Sequence, residues 1–193
     1  MTTPTTIEHP PNVRQRLLDA ALVLFSTKGY AATSVRELVE AAGVTKPVLY
    51  YYFKNKEGLY LALMGDALGD FFEVAEQART APGCVTERIR GYCSALLDIF
   101  IERLPVARLI YAIYYGPPQG ATHIDFEASI SNMLHHMEQL VSEGISSGEF
   151  RAVNPADAAW AIVAQLNAAM EDQLSPSRQP RLNRDGLLRL LAL

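Results

Sequence analysis

Residues 33–60 read T-S-V-R-E-L-V-E-A-A-G-V-T-K-P-V-L-Y-Y-Y-F-K-N-K-E-G-L-Y. Ser34 followed three residues later by Glu37 is the signature of a capping box, in which the two side chains satisfy backbone N–H groups at a helix start. It opens a short helix to Ala42, and Gly43 is the natural turn after it. Thr45 can cap a further helix, with Pro47 tolerated in its first turn, where an N–H has no intrahelical partner. Leu38, Ala42, Val44 and Leu49 form a small apolar seam between the two helices, leaving Lys46, Pro47, Val48 and Tyr51 on the outer face. Two short helices about a glycine turn make a helix-turn-helix, and the second helix of such a unit can enter a major groove.

Tyr50, Tyr51 and Tyr52 point about 100° apart on a helix, so no single core can take all three. A phenol can donate to a phosphate oxygen, and Lys54 and Lys56 follow at once. Either group alone is as well read as packing or solvated surface; capping box, turn, tyrosines and lysines together favour DNA. The whole chain of 193 residues carries a net charge of −4. Residues 1–60 hold seven Lys/Arg against five Asp/Glu, and the remainder ten against sixteen, so a mildly basic head precedes an acidic body. That distribution suits phosphate at one end only.

Outward from this stretch the apolar residues recur at helical spacing, and no run alternates with the period of two of a half-buried strand. Val13, Leu17, Ala21, Leu24 and Phe25 form the stripe of a first helix that Gly29 ends. Asn55 caps a long helix running past Leu59, Leu63 and Phe71 towards Pro82-Gly83. Two helices follow over 86–101 and 104–115, then the break Gly116-Pro117-Pro118-Gln119-Gly120. Thr122 with Asp125 opens a long helix, Asn154-Pro155 starts another to Leu174, and Asn183 begins a last, leucine-rich one. The expectation is an all-α protein of about nine helices. Met1 to Pro11 has neither a basic start nor an apolar run, which argues against a signal peptide and for a flexible polar arm. No apolar stretch approaches the length of a membrane span, and Cys84 and Cys93 show no metal-ligand pattern and read as structural thiols. A cytoplasmic protein without cofactor or metal is expected.

The stretch A-A-G-V and then L-Y-Y-Y-F-K-N-K-E-G-L resembles the TetR family of transcriptional repressors across residues 13–60. A second anchor is E-G-I-S-S-G-E-F at 143–150 ahead of Asn154-Pro155-Ala156, which is similar to the run into that family's dimerisation helices. The resemblance implies an arm over 1–11, a helix-turn-helix DNA-binding domain over 12–54, and an effector-binding and dimerisation domain over 55–193. It implies base-edge contacts from Arg36, Lys46, Pro47 and Val48, with Thr45 at the start of the same helix. It implies phosphate contacts from Ser34, Tyr50, Tyr51, Tyr52 and Lys56, while Leu49 and Phe53 hold the helix in place. The chemistry agrees, since Arg or Lys can bond guanine and Pro or Val can touch a thymine methyl.

In the body, Ala159, Ile162, Val163, Leu166 and Met170 line one side of the helix from Asn154, and Trp160 lies on another. A helix apolar on more than one side needs more than one partner. Intrachain core and a two-fold four-helix homodimer interface are both open on the residues alone, and the resemblance favours the dimer. Surplus aromatics between helices can hold a cavity for a small hydrophobic effector. Its expected lining comes from Phe100, Leu104, Tyr111, Tyr115, His123, Phe126, Met133, Met137 and Trp160, although aromatics and methionines at helical spacing equally suit a core. The function implied is repression from a palindromic double-stranded DNA operator bound as a dimer and released by that effector. Two rivals are a small all-α enzyme, which no G-x-S-x-G, phosphate loop or H-E-x-x-H supports, and an interaction module without DNA binding.

Overall fold

The computed structural model describes residues 12–116, 120, 126–174 and 185–186. Among them the regular structure is entirely helical: α1 (Val13–Lys28), α2 (Val35–Ala42), α3 (Lys46–Phe53), α4 (Lys56–Arg79), α5 (Val85–Glu102), α6 (Leu104–Tyr115), α7 (Phe126–Ser146) and α8 (Pro155–Gln173). The all-α expectation holds, and the eight helices fall close to the nine expected. The polar arm over 1–11, the helix start at Thr122–Asp125, His123, and most of the helix expected from Asn183 lie outside the described residues. No helix among the described residues is long and apolar enough to cross a membrane.

The chain divides into two compact units, a head through Met64 and a body from Gly65. The boundary expected at 54/55 coincides with the α3–α4 turn. The compact head continues into α4, whose Leu59, Tyr60, Leu63 and Met64 are buried.

Within the head, Asn12 caps α1 by accepting from the Gln15 N–H at 2.8 Å. The Ser34–Glu37 capping box is complete: the Glu37 N–H donates to Ser34 Oγ at 3.3 Å and the Ser34 N–H to Glu37 Oε2 at 2.9 Å. Gly43 ends α2 in the left-handed region at φ 62°, and the Val44 N–H returns to the Val39 carbonyl at 2.9 Å, a closure that favours glycine. Thr45 holds the N-cap position of α3 without a side-chain cap bond. Leu17, Ala21, Leu38, Leu49 and Leu59 are fully buried at the centre of the unit. Beside them Phe25, Tyr30 and Tyr60 form an aromatic triangle with centroids 5.1–6.1 Å apart.

In the body, α5 is central, with Ile89, Tyr92, Cys93, Leu96 and Leu97 essentially inaccessible and packed with residues of α7 and α8. The stripe Ala159, Ile162, Val163, Leu166 and Met170 of α8 is buried in this same intrachain core. The second sequence anchor has a packing origin. Phe150 lies so close over Gly144 that a Cβ there would meet its ring at 2.3 Å. Gly148 turns the chain at φ 78°, and Glu149 then accepts the orphan N–H groups of Val85 and Thr86 at 3.0 and 3.2 Å. A carboxylate there satisfies the first turn of α5 and its dipole. The cysteines do not pair: Cys93 is buried, which pushes its thiol up to about 12, and Cys84 is exposed.

Candidate nucleic-acid interface and body cavity

α3 is amphipathic at its own short scale. Leu49 and Phe53, one turn apart, are buried and seat the helix, while Tyr50, Tyr51 and Tyr52 stand 48%, 83% and 44% exposed. Tyr51 and Tyr52 meet edge to face at 5.2 Å. Large aromatics exposed side by side are unusual on a surface without a binding role. Thr45, Lys46 and Pro47 are exposed on the same helix start, and Val48 is half-buried. The head therefore presents together Thr45, Lys46, Pro47 and the three tyrosines.

The other expected contact residues are already engaged inside the head. Ser34 Oγ donates to Glu37 Oε2 at 2.8 Å as part of the cap. Lys28 pairs with Glu37; this bond, the Ser34 donors and the lysine charge hold the Glu37 carboxyl down to about 2. Arg36 is well exposed, and its Nε donates to Glu40 at 2.7 Å. Lys56, expected at a phosphate, instead donates from Nζ to the carbonyls of Tyr30 and Thr33, each at 2.9 Å. Its partial burial pulls its pKa below that of an ordinary lysine. Lys56 is thus a tie between the start of α4 and the α1–α2 turn.

Sequence reasoning left two further head cations out of the contact set. Lys54 is exposed at the end of α3. The guanidinium of Arg16 reaches the turn at Gly43, 3.7 Å from where a Cβ would stand. The sequence signal for Lys54 was its position directly after the tyrosines; Arg16 gave none, because its approach to Gly43 is a tertiary event.

The body holds a cavity of about 540 Å³ between α4, α5, α6, α7 and α8, of a size suited to a small organic molecule. Phe100, Tyr111, Tyr115, Met133 and Trp160 line it. Met137 does not: it is fully buried in the core, one turn further along the same face of α7 than Met133. Leu104 is half-buried against the same core and is also off the cavity wall. His123 lies outside the described residues, as does the side chain of Phe126. Sequence reasoning missed the polar lining residues Arg103, Asn167 and Glu171, and the apolar Phe71, Ile130 and Leu134. Tyr111 donates its hydroxyl to Asn167 Oδ1 at 2.8 Å, and Asn167 Nδ2 donates to Glu171 Oε1 at 3.0 Å. Among the described residues no group of His, Cys, Asp or Glu could hold a metal ion.

Residues 17–63 match the family model described as bacterial regulatory proteins, tetR family. The HTH-type transcriptional repressor KstR2 of Mycolicibacterium smegmatis is 27% identical over 149 residues, covering 77% of this chain and 72% of the relative. The HTH-type transcriptional activator FasR of the same organism is 33% identical over 112 residues. That match covers 58% of this chain and 51% of FasR, so the chain spans about half of that protein. Among solved structures, the TetR family transcriptional regulator PfmR from Thermus thermophilus aligns with a TM-score of 0.71 at 25% identity, over 94% of this chain and 95% of that one. With its head matched in sequence and its helical fold shared almost end to end with such regulators, the chain carries the DNA-binding head of the tetR family of bacterial regulatory proteins over residues 17–63 and is a DNA-binding transcriptional regulator.

Proposed function

We propose that the protein is a cytoplasmic repressor that holds a palindromic operator as a homodimer and is released when a small, largely apolar effector fills the body cavity. The observation that carries the DNA half of this reading is the outer face of α3, where Tyr51 is 83% exposed over a helix seated by the buried Leu49 and Phe53. Lys46 and Val48 are the base readers, with Thr45, Pro47 and Arg36 beside them. The tyrosines, Ser34 and Lys54 serve the phosphates. Lys56 acts from behind by fixing the start of α4. Repression rather than activation follows KstR2, the relative spanned over the greater length.

The dimer reading rests on what α8 leaves uncovered. Its core stripe is used within the chain, and the remaining surface offers Trp160, 65% exposed, with Ala161, Ala164 and Ala168, of which all but Ala161 also border the cavity. Small residues around an aromatic permit close approach of a second helix. For the effector, α4 supplies the connection: Lys56 begins it in the head, and Ala67, Leu68 and Phe71 of the same helix line the cavity. A ligand alters DNA affinity only if it binds one arrangement of that helix better than another. Effector and operator must then weaken each other by the same factor.

The test is selection of bound duplexes from a random pool, with the mass of the complex measured on the consensus. Two related half-sites in dyad symmetry, bound by two chains, are expected. Asymmetric sites bound by one chain would overturn the dimer, and a folded protein that retains no duplex at low salt would favour an interaction module.

A further inference from the structure

The cavity has a charged group towards each end of α6, and only one of the two is neutralised. At the start of α6, Arg103 is paired with Asp70. About three turns on, on the order of 16 Å along the axis, Tyr111 and Tyr115 lie beside Asn167 and Glu171 of α8. Successive turns meet there: Tyr111 bonds Asn167 at 2.8 Å, and the Glu171 charge, second to burial, raises the phenol pKa of both Tyr111 and Tyr115. Tyr111 and Tyr115 stand 5.7 Å apart, and Tyr114 meets Tyr115 edge to face at 4.8 Å. Among the described residues Glu171 has no cationic partner; its side chain accepts only from Asn167.

A carboxylate beside clustered tyrosine faces, at one end of an otherwise apolar space, attracts a poorly hydrated cation twice over. It does so through the carboxylate charge and through the ring quadrupoles. An anionic ligand would meet Glu171 at one end and at the other a guanidinium already held by Asp70. Resting on the reading of the cavity as the effector site, we propose that its ligand is a lipophilic organic cation. Its ammonium or similar head lies against Glu171 and Tyr115, and its hydrocarbon or aromatic tail runs along Phe71, Ile130, Met133 and Leu134.

Decyltrimethylammonium, decanoate and 1-decanol share a chain length and differ in charge, and each can be titrated below its micelle concentration into the full-length protein by calorimetry. Trp160, the chain's only tryptophan, lines the cavity and gives a second, fluorescent readout. The cation should bind about ten-fold more tightly than decanoate. Glu171→Gln should remove that preference while leaving decanol binding and the melting temperature unchanged. Tyr115→Leu should weaken the cation several-fold on its own, so the inference stays testable if one variant folds poorly. Decanoate binding as tightly as the cation, or a preference untouched by Glu171→Gln, overturns the cationic class. If decanol or decanoate then still displaces operator DNA, the effector cavity stands and only the class falls. If none of the three binds, both readings fall.

Discussion

Lys56 Nζ sits 4.2 Å above the ring centroid of Tyr30 and donates at 2.9 Å to the carbonyl of that same residue. A second bond to the Thr33 carbonyl closes the bracket between the start of α4 and the turn ahead of α2. The Tyr30 carbonyl also accepts from the Thr33 N–H at 3.3 Å, so the ammonium joins a turn that is already hydrogen-bonded. Lys56→Ala should therefore destabilise the head by about 1–3 kcal/mol, the range of hydrogen bonds to a charged group. Urea denaturation measures it. A loss of DNA affinity with unchanged stability would return Lys56 to the phosphate-contacting set.

That residue also shows where the sequence stopped being informative. The Ser34–Glu37 box and the Gly43 turn are interactions within three or four residues, so spacing and residue type announce them. The bonds of Lys56 to residues 26 and 23 positions earlier, and of Glu149 to Val85 and Thr86 across more than sixty, carry no local signal. The cavity was partly legible because surplus aromatics on α6 had to go somewhere. Which apolar residues on one helix face meet the void and which the core depends on where along the helix the neighbouring helices close over it. Met137 and Met133 are one turn apart on α7 and fall on opposite sides of that decision. Glu171 and Asn167 were missed because polar residues on an exposed helix face ordinarily mean solvent.

Glu37 makes head stability depend on pH with a definite sign. Its carboxyl falls from an ordinary 4.5 to about 2, through the bond from Lys28 first and those from Ser34 next. A depressed acid stabilises the fold above its unfolded pKa and loses that contribution as pH falls through the folded value. Glu37→Gln keeps the size of the side chain and removes the charge. Its melting temperature should lie below wild type near neutrality, and the gap should narrow steadily below about pH 4.5. A gap that stays constant from pH 7 to pH 3 would show that the ion pair contributes nothing to folding.

Between α3 and α4 the backbone is strained at one residue and crowded at another. Lys54 adopts φ 64°, ψ −42°, and the Asn55 N–H bonds the Phe53 carbonyl at 2.7 Å, a tight three-residue turn. The same carbonyl approaches α4 so closely that a Cβ on Gly58 would lie 2.0 Å from it. Gly58→Ala should thus cost about 2 kcal/mol or more, because the obstacle is backbone and cannot rotate away. Lys54→Gly should do the opposite, gaining about 1 kcal/mol by relieving the positive φ. It should also weaken all duplexes alike and lower the salt slope by about 1, as expected of a phosphate contact. Denaturation curves and DNA titrations across salt separate the two effects. An unchanged salt slope would remove Lys54 from the interface.

Met137 and Ile130 lie on one helix and should respond oppositely to the same substitution. Met137 is fully buried in the core, whereas Ile130 is 43% exposed and lines the cavity. Met137→Trp inserts a large ring where there is no space, and overpacking of this kind costs about 1–3 kcal/mol or more. Met137→Ala leaves a void and should cost about 2–5 kcal/mol. Ile130→Trp places the same ring into open volume, so stability and operator affinity of the free protein should stay near wild type. Occupying the cavity from within should at the same time weaken the effector response. Thermal melts with DNA titrations in the presence and absence of ligand test both halves. If Ile130→Trp leaves the ligand response intact while Met137→Trp folds normally and abolishes it, the cavity extends further along α7 and the effector site must be redrawn around Met137.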